Sequence, residues 1–74
     1  MSNPTPFNQE FVYNHPRSIY AKVIMRCKDA NVKDGQKCDC YLIEVTRDSH
    51  ICKKGTLLTP DVEEIDETAI LLEI

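Results

Sequence analysis

From Ser18 onward the chain alternates between two sets of positions. Ile19, Ala21, Val23, Met25 and Cys27 fall on one set, and Tyr20, Lys22, Ile24 and Arg26 on the other. A period of two over this length predicts a strand with one apolar face. Asp29–Gln36 breaks the alternation, with Asp34-Gly35 as its strongest turn signal. A second strand is predicted over Lys37–Thr46, which is rich in β-branched and aromatic residues. Arg47-Asp48-Ser49 reads as a turn into a third strand near His50–Lys54, ended by Gly55.

Register follows from the pairs it creates. Cys27 opposite Cys38 sets Arg26 against Asp39, Met25 against Cys40 and Val23 against Leu42. A two-residue turn at Asp48-Ser49 sets Glu44 against Lys53 and Val45 against Cys52. Both registers bring opposite charges together, so an antiparallel meander is expected.

The two ends read differently from the middle. Residues 1–17 hold Pro4, Pro6 and Pro16 among polar residues, which predicts a flexible N-terminal arm. Phe7, Phe11, Val12 and Tyr13 form an apolar cluster within it, suited either to docking back or to anchoring a partner. At the other end, Thr59 is placed to cap a helix with Pro60 at its first position and acids in the first turn. Val62, Ile65, Ala69 and Leu72 share one helical face. The last six residues, Ala69–Ile74, equally fit a strand that closes a small barrel. The expectation is a short helical turn at 60–67 followed by a strand. The predicted fold is therefore mainly β: a small antiparallel meander or partly closed barrel, one domain over 18–74, with a flexible arm over 1–17.

Length and charge narrow the function. The chain has 74 residues and 42% hydrophobic content, enough for one modest core. The net charge of −3 hides a division: residues 18–58 hold eight Lys or Arg against five Asp or Glu, whereas residues 59–74 hold six acids and no base. The start Met1-Ser2-Asn3-Pro4-Thr5-Pro6 lacks a signal-peptide core and no stretch reaches transmembrane length, so the cytoplasm is the expected location and no membrane is implied. Lys22, Lys28, Lys33, Lys37, Lys53 and Lys54 would make a basic rim for nucleic acid, with Tyr20 and Tyr41 to stack bases. The acidic end would compete with phosphate, which makes this the alternative reading.

Cys27, Cys38, Cys40 and Cys52 admit a zinc site, a disulfide or small core residues. Cys38 and Cys40 share a strand face. The preferred register adds Cys27 to that face but puts Cys52 on the other, so four-cysteine zinc is awkward and buried reduced thiols are expected. No cofactor is expected. The chain has two glycines, no phosphate-binding loop and no Cys-x-x-Cys. His50 and His15 have no nucleophile in persuasive register, and the carboxylates of Glu63-Glu64 and Asp66-Glu67 are expected to be exposed. No enzyme is expected.

A short chain of this make-up, beginning Met1-Ser2-Asn3-Pro4-Thr5-Pro6-Phe7-Asn8 and lacking enzyme motifs, resembles the small phage-encoded regulators that bind bacterial RNA polymerase. The resemblance implies a large host protein complex as partner, occupation of a polymerase subunit in the host cytoplasm, and interference with transcription. No functional residue carries over from it. From the sequence itself, the expected partner-binding residues are Phe7, Phe11, Tyr13, Lys22, Lys53 and Lys54.

Overall fold

The computed structural model describes residues 6–14 and 18–72. Among the described residues, five strands and one helix follow in chain order: β1 (Glu10–Asn14), β2 (Ser18–Lys33), β3 (Gln36–Val45), β4 (Leu57–Leu58), α1 (Val62–Thr68) and β5 (Ile70–Leu71). The strands form one antiparallel sheet in the order β4-β3-β2-β1-β5. The first four make a meander, and β5 returns to the far side of β1. The sheet stays open, so of the two predicted architectures the meander is the one that forms.

β1 corrects the expectation of an arm extending to residue 17. Phe11 and Tyr13 alternate with Val12, pair with β2, and are 0% and 4% exposed. Their rings pack at 5.9 Å between centroids. Burying two aromatic side chains stabilises by several kcal/mol in total, on the order of 1.5–3 kcal/mol for each large apolar side chain, and together with the ladder hydrogen bonds to β2 this offsets the entropy lost in ordering the strand. The remainder of the predicted arm, residues 1–5 and 15–17, lies outside the described residues.

The β2–β3 register also differs from the predicted one. Cys27 faces Cys40 rather than Cys38, Met25 faces Leu42, and Val23 faces Ile43. The hairpin runs on to a two-residue turn between Lys33 and Gln36, and two irregularities interrupt its ladder. Between Val23 and Met25 one residue, Ile24, is extra on β2. The extra residue inverts the alternation, so Ile19, Ala21 and Val23 face the core whereas Met25 and Cys27 face the other side. Further on, Lys28, Asp29 and Ala30 stand opposite Asp39 alone. Asp29 adopts φ 52°, a left-handed conformation that Asp tolerates better than most residues. Asp39 holds this bulge, accepting from the Asp29 amide at 3.0 Å and from Arg26 Nε and Nη2 at 3.1 and 2.8 Å. The predicted Arg26–Asp39 pair thus forms, as a diagonal contact instead of a direct one. The Asp34-Gly35 turn forms as read, with φ of 53° and 77° between paired Lys33 and Gln36, the geometry of a two-residue type I′ hairpin.

No strand forms at His50–Lys54. Asp48 and Ser49 instead bind the loop backbone: Asp48 Oδ1 accepts from the Lys54 amide at 2.7 Å, and Ser49 Oγ accepts from Ile51 and Cys52 at 3.2 and 3.1 Å. Such side chain–backbone bonds compete with ladder bonds and favour a compact loop. The predicted pairs Glu44–Lys53 and Val45–Cys52 are therefore absent, and Glu44 faces Leu57 of β4.

The helical turn and following strand appear as predicted, as α1 and β5. The cap differs. Asp61, not Thr59, is the N-cap, and it makes no side-chain cap bond. Its carboxylate is engaged elsewhere, accepting from Asn31 Nδ2 at 2.5 Å, and the same amide donates to the Thr59 carbonyl at 3.2 Å. Seven residues are too few for a stable isolated helix, so α1 depends on packing. Ile65 supplies it as the helix's one buried residue, closing a core of Phe11, Tyr13, Ile19, Ala21, Val23, Tyr41, Ile43 and Val45. Tyr41 adds a polar tie, its hydroxyl donating to Asp66 Oδ1 at 3.0 Å.

Candidate binding face and projecting hairpin

Because α1 packs on one side, the sheet has a covered face and a helix-free face. Tyr41, Ile43 and Val45 point into the core, so strand alternation sends Cys40, Leu42 and Glu44 to the other face. Paired positions on β2 and β4 bring Met25 beside Leu42 and Leu57 beside Glu44. Met25 is 48% and Leu57 56% exposed, an apolar patch that the fold leaves in water. Across the sheet, Ile70 faces Val12 on this same side and is 64% exposed.

Charged groups border the patch. Lys22 and Glu44 face each other and meet at 3.5 Å. Both line a shallow groove of about 300 Å³ together with Thr46, Lys54 and Gly55. Nearer β1, the Arg47 guanidinium lies 4.3 Å above the Tyr20 ring and donates through Nε and Nη2 to Glu10 at 3.0 Å each. Thr46 Oγ1 also donates to Glu10, at 2.5 Å. Hydrogen bonds from Thr46 and then Arg47 hold the Glu10 carboxyl below its ordinary range. This latch covers the tyrosine end of the face, whereas the Met25–Leu57 end has no such cover among the described residues.

Beyond Cys27 and Cys40 the β2–β3 hairpin continues past the core. From Lys28 to Lys37 every residue is exposed except the half-buried Asn31, and Val32 is 73% exposed. Asn31 straps the base of this projection to Thr59 and Asp61. Asp39 anchors its bulge; the bond from the Asp29 amide, then those from Arg26, lower its carboxyl pKa.

The residues expected to bind a partner separate into three groups. Phe11 and Tyr13 belong to the core, with Phe11 fully buried and Tyr13 reaching only the wall of the groove beside Cys52. Lys22 and Lys54 come together at the groove, with Lys53 exposed in the same loop. Phe7 is 56% exposed and bridges to Val23. Of the tyrosines considered for base stacking, Tyr41 is buried and Tyr20 lies under Arg47. Met25 joins Leu42 and Leu57 on this face because the extra residue Ile24 inverts the alternation of β2, which the pattern of β2 alone does not reveal.

The cysteines do not converge on one point. Cys27, Cys38 and Cys40 share the helix-free face, so the face they mark is not the core face expected for them, and only Cys40 is buried. Cys52 lines a separate groove of about 290 Å³ on the helix side, with Tyr13, Ile19, Ile51, Leu58 and Glu64. All four are free thiols, and among the described residues no three His, Cys, Asp or Glu side chains cluster in a way that would hold a metal ion. Set against protein-family models, curated proteins and solved structures, the chain matches none of them.

Proposed function

We propose that this chain is a small protein-binding regulator that docks its helix-free sheet face, and the hairpin beside it, onto a larger protein. The observation that carries the reading is the exposure of Met25 and Leu57 around Leu42, on a sheet face bordered by Lys22, Glu44 and Lys54. An apolar centre within a charged border is the usual anatomy of a protein interface. Burial of such a centre drives association, while the border sets orientation. Asp39, Glu10 and Glu44 engage Arg26, Arg47 and Lys22, and the six acids of residues 59–74 would repel phosphate, which favours a protein partner over nucleic acid. Bacterial RNA polymerase is the partner to test first, given the resemblance to phage-encoded polymerase regulators.

The test uses purified bacterial RNA polymerase and the full chain in gel filtration and biolayer interferometry at physiological salt. The wild type is expected to co-migrate with polymerase. The double variant Met25→Asp/Leu57→Asp is expected to lose binding at least 100-fold, about 2.7 kcal/mol, while its unfolding midpoint changes little, since both sites are exposed. Equal binding by the double variant refutes the face. Absence of polymerase binding, with oligonucleotide affinity that falls steeply as salt rises, moves the function to nucleic acid.

A further inference from the structure

Cys27 and Cys40 are directly opposed on β2 and β3. Opposed residues of an antiparallel pair have Cα atoms about 4.5–5.5 Å apart. That separation lies inside the roughly 4.4–6.8 Å that a disulfide spans. The two differ in access: Cys40 is 2% exposed, whereas Cys27 is half-buried. Burial, and then the neighbouring Cys27 thiol in hydrogen-bonding contact, push the Cys40 thiol up. The other cysteines lack this arrangement. Cys38 faces Asn31, with its Sγ 3.8 Å from the Gln36 carbonyl oxygen, and Cys52 sits in the loop on the helix side.

We propose that Cys27 and Cys40 form a thiol–disulfide exchange site, which low-molecular-weight disulfides of the glutathione class convert to a cross-strand disulfide. The Cys27 thiolate attacks one sulfur of oxidised glutathione. The glutathione S–S bond breaks, a mixed disulfide forms on Cys27, and one glutathione leaves and takes up a proton. Cys40, as thiolate, then attacks the Cys27 sulfur and expels the second glutathione. Two protein thiols are oxidised and one glutathione disulfide is reduced to two thiols, so two electrons and two protons pass from protein to glutathione. Attack through Cys27 first follows from its access to solvent.

The position gives the bond a structural consequence. Residues 28–30 bulge immediately after Cys27, and the exposed hairpin leaves the body there. A covalent link at Cys27–Cys40 fixes the base of that projection, and the site operates whatever partner the adjoining face binds.

The experiment incubates the folded full chain with oxidised glutathione, then reads intact mass and peptide maps after alkylation of remaining thiols. Expected is a species two hydrogens lighter than the reduced chain, linking Cys27 to Cys40 and reversed by dithiothreitol. The Cys38→Ser/Cys52→Ser double variant should retain it. Cys27→Ser should abolish it, and Cys40→Ser should trap the glutathione adduct on Cys27. Because Cys40 is buried and its variant risks misfolding, the double variant and Cys27→Ser decide the matter by themselves. Accumulation of glutathione adducts alone in the double variant overturns the proposal, as does a link joining any other pair in the wild type.

Discussion

Ile65→Ala tests whether one side chain holds α1 to the sheet. Ile65 is 0% exposed and is the helix's only buried residue. The substitution removes three carbons, worth about 2.4 kcal/mol at roughly 0.8 kcal/mol per buried methylene. The cavity left behind adds to this, so a loss of about 3–4 kcal/mol is expected, within the range of roughly 2–5 kcal/mol for such truncations. A chain of 74 residues has a total stability of about 4–11 kcal/mol at typical per-residue values. The change therefore removes from about a quarter to all of it. At about 4–8 °C per kcal/mol, the melting midpoint falls by about 12–32 °C. Urea unfolding followed by far-ultraviolet circular dichroism measures the loss, and Ile65→Val provides a milder step of about 1 kcal/mol. Hydrogen exchange adds a local readout, since the Ala69 amide donates to the Ile65 carbonyl at 2.8 Å and should lose protection early. A loss below about 1 kcal/mol for Ile65→Ala would refute the reasoning, because α1 would then be closing no core.

Three further outcomes follow from local geometry. Gly35→Ala, at φ 77° in the hairpin turn, is expected to cost about 1–2 kcal/mol in denaturant titration, although a Cβ there meets nothing within 4 Å; a neutral result would mean the turn rearranges freely. Glu10 and Asp39 have folded pKa values below their ordinary 4.5 and 3.8, so their contribution to stability is present above those values and is lost as pH falls through the lower, folded ones. Carboxyl-carbon NMR titration should find both midpoints depressed, and midpoints at or above the ordinary values would contradict the Arg47 and Arg26 contacts. Lys22→Ala should change stability by less than about 0.5 kcal/mol, because its 3.5 Å pair with Glu44 is solvent-exposed on both sides.

Legibility was highest where the signal was local. The Asp34-Gly35 turn could be read directly, since few residues other than Gly, Asn and Asp accept successive positive φ angles. The strand pattern from Ser18 and the turn of helix after Pro60 were equally readable from alternation and from acids at a helix start. The Phe11-Val12-Tyr13 alternation was also a strand signal, but the surrounding prolines obscured it. The third strand failed for a local reason of its own: Asp48 and Ser49 bind their own loop backbone.

The sequence by itself determined a small antiparallel β protein with a short helix near its end, because side-chain alternation and turn chemistry act over a few residues. The tertiary structure decided which face each side chain meets. Ile24 is an extra residue only relative to its partner strand, and the bulge at Asp29 is held by Asp39 ten residues away. The extra Ile24 puts Met25 in water on the face where binding is proposed, and the two irregularities together set Cys27 opposite Cys40. Register is a property of two strands together, so a single pattern of alternation cannot specify it.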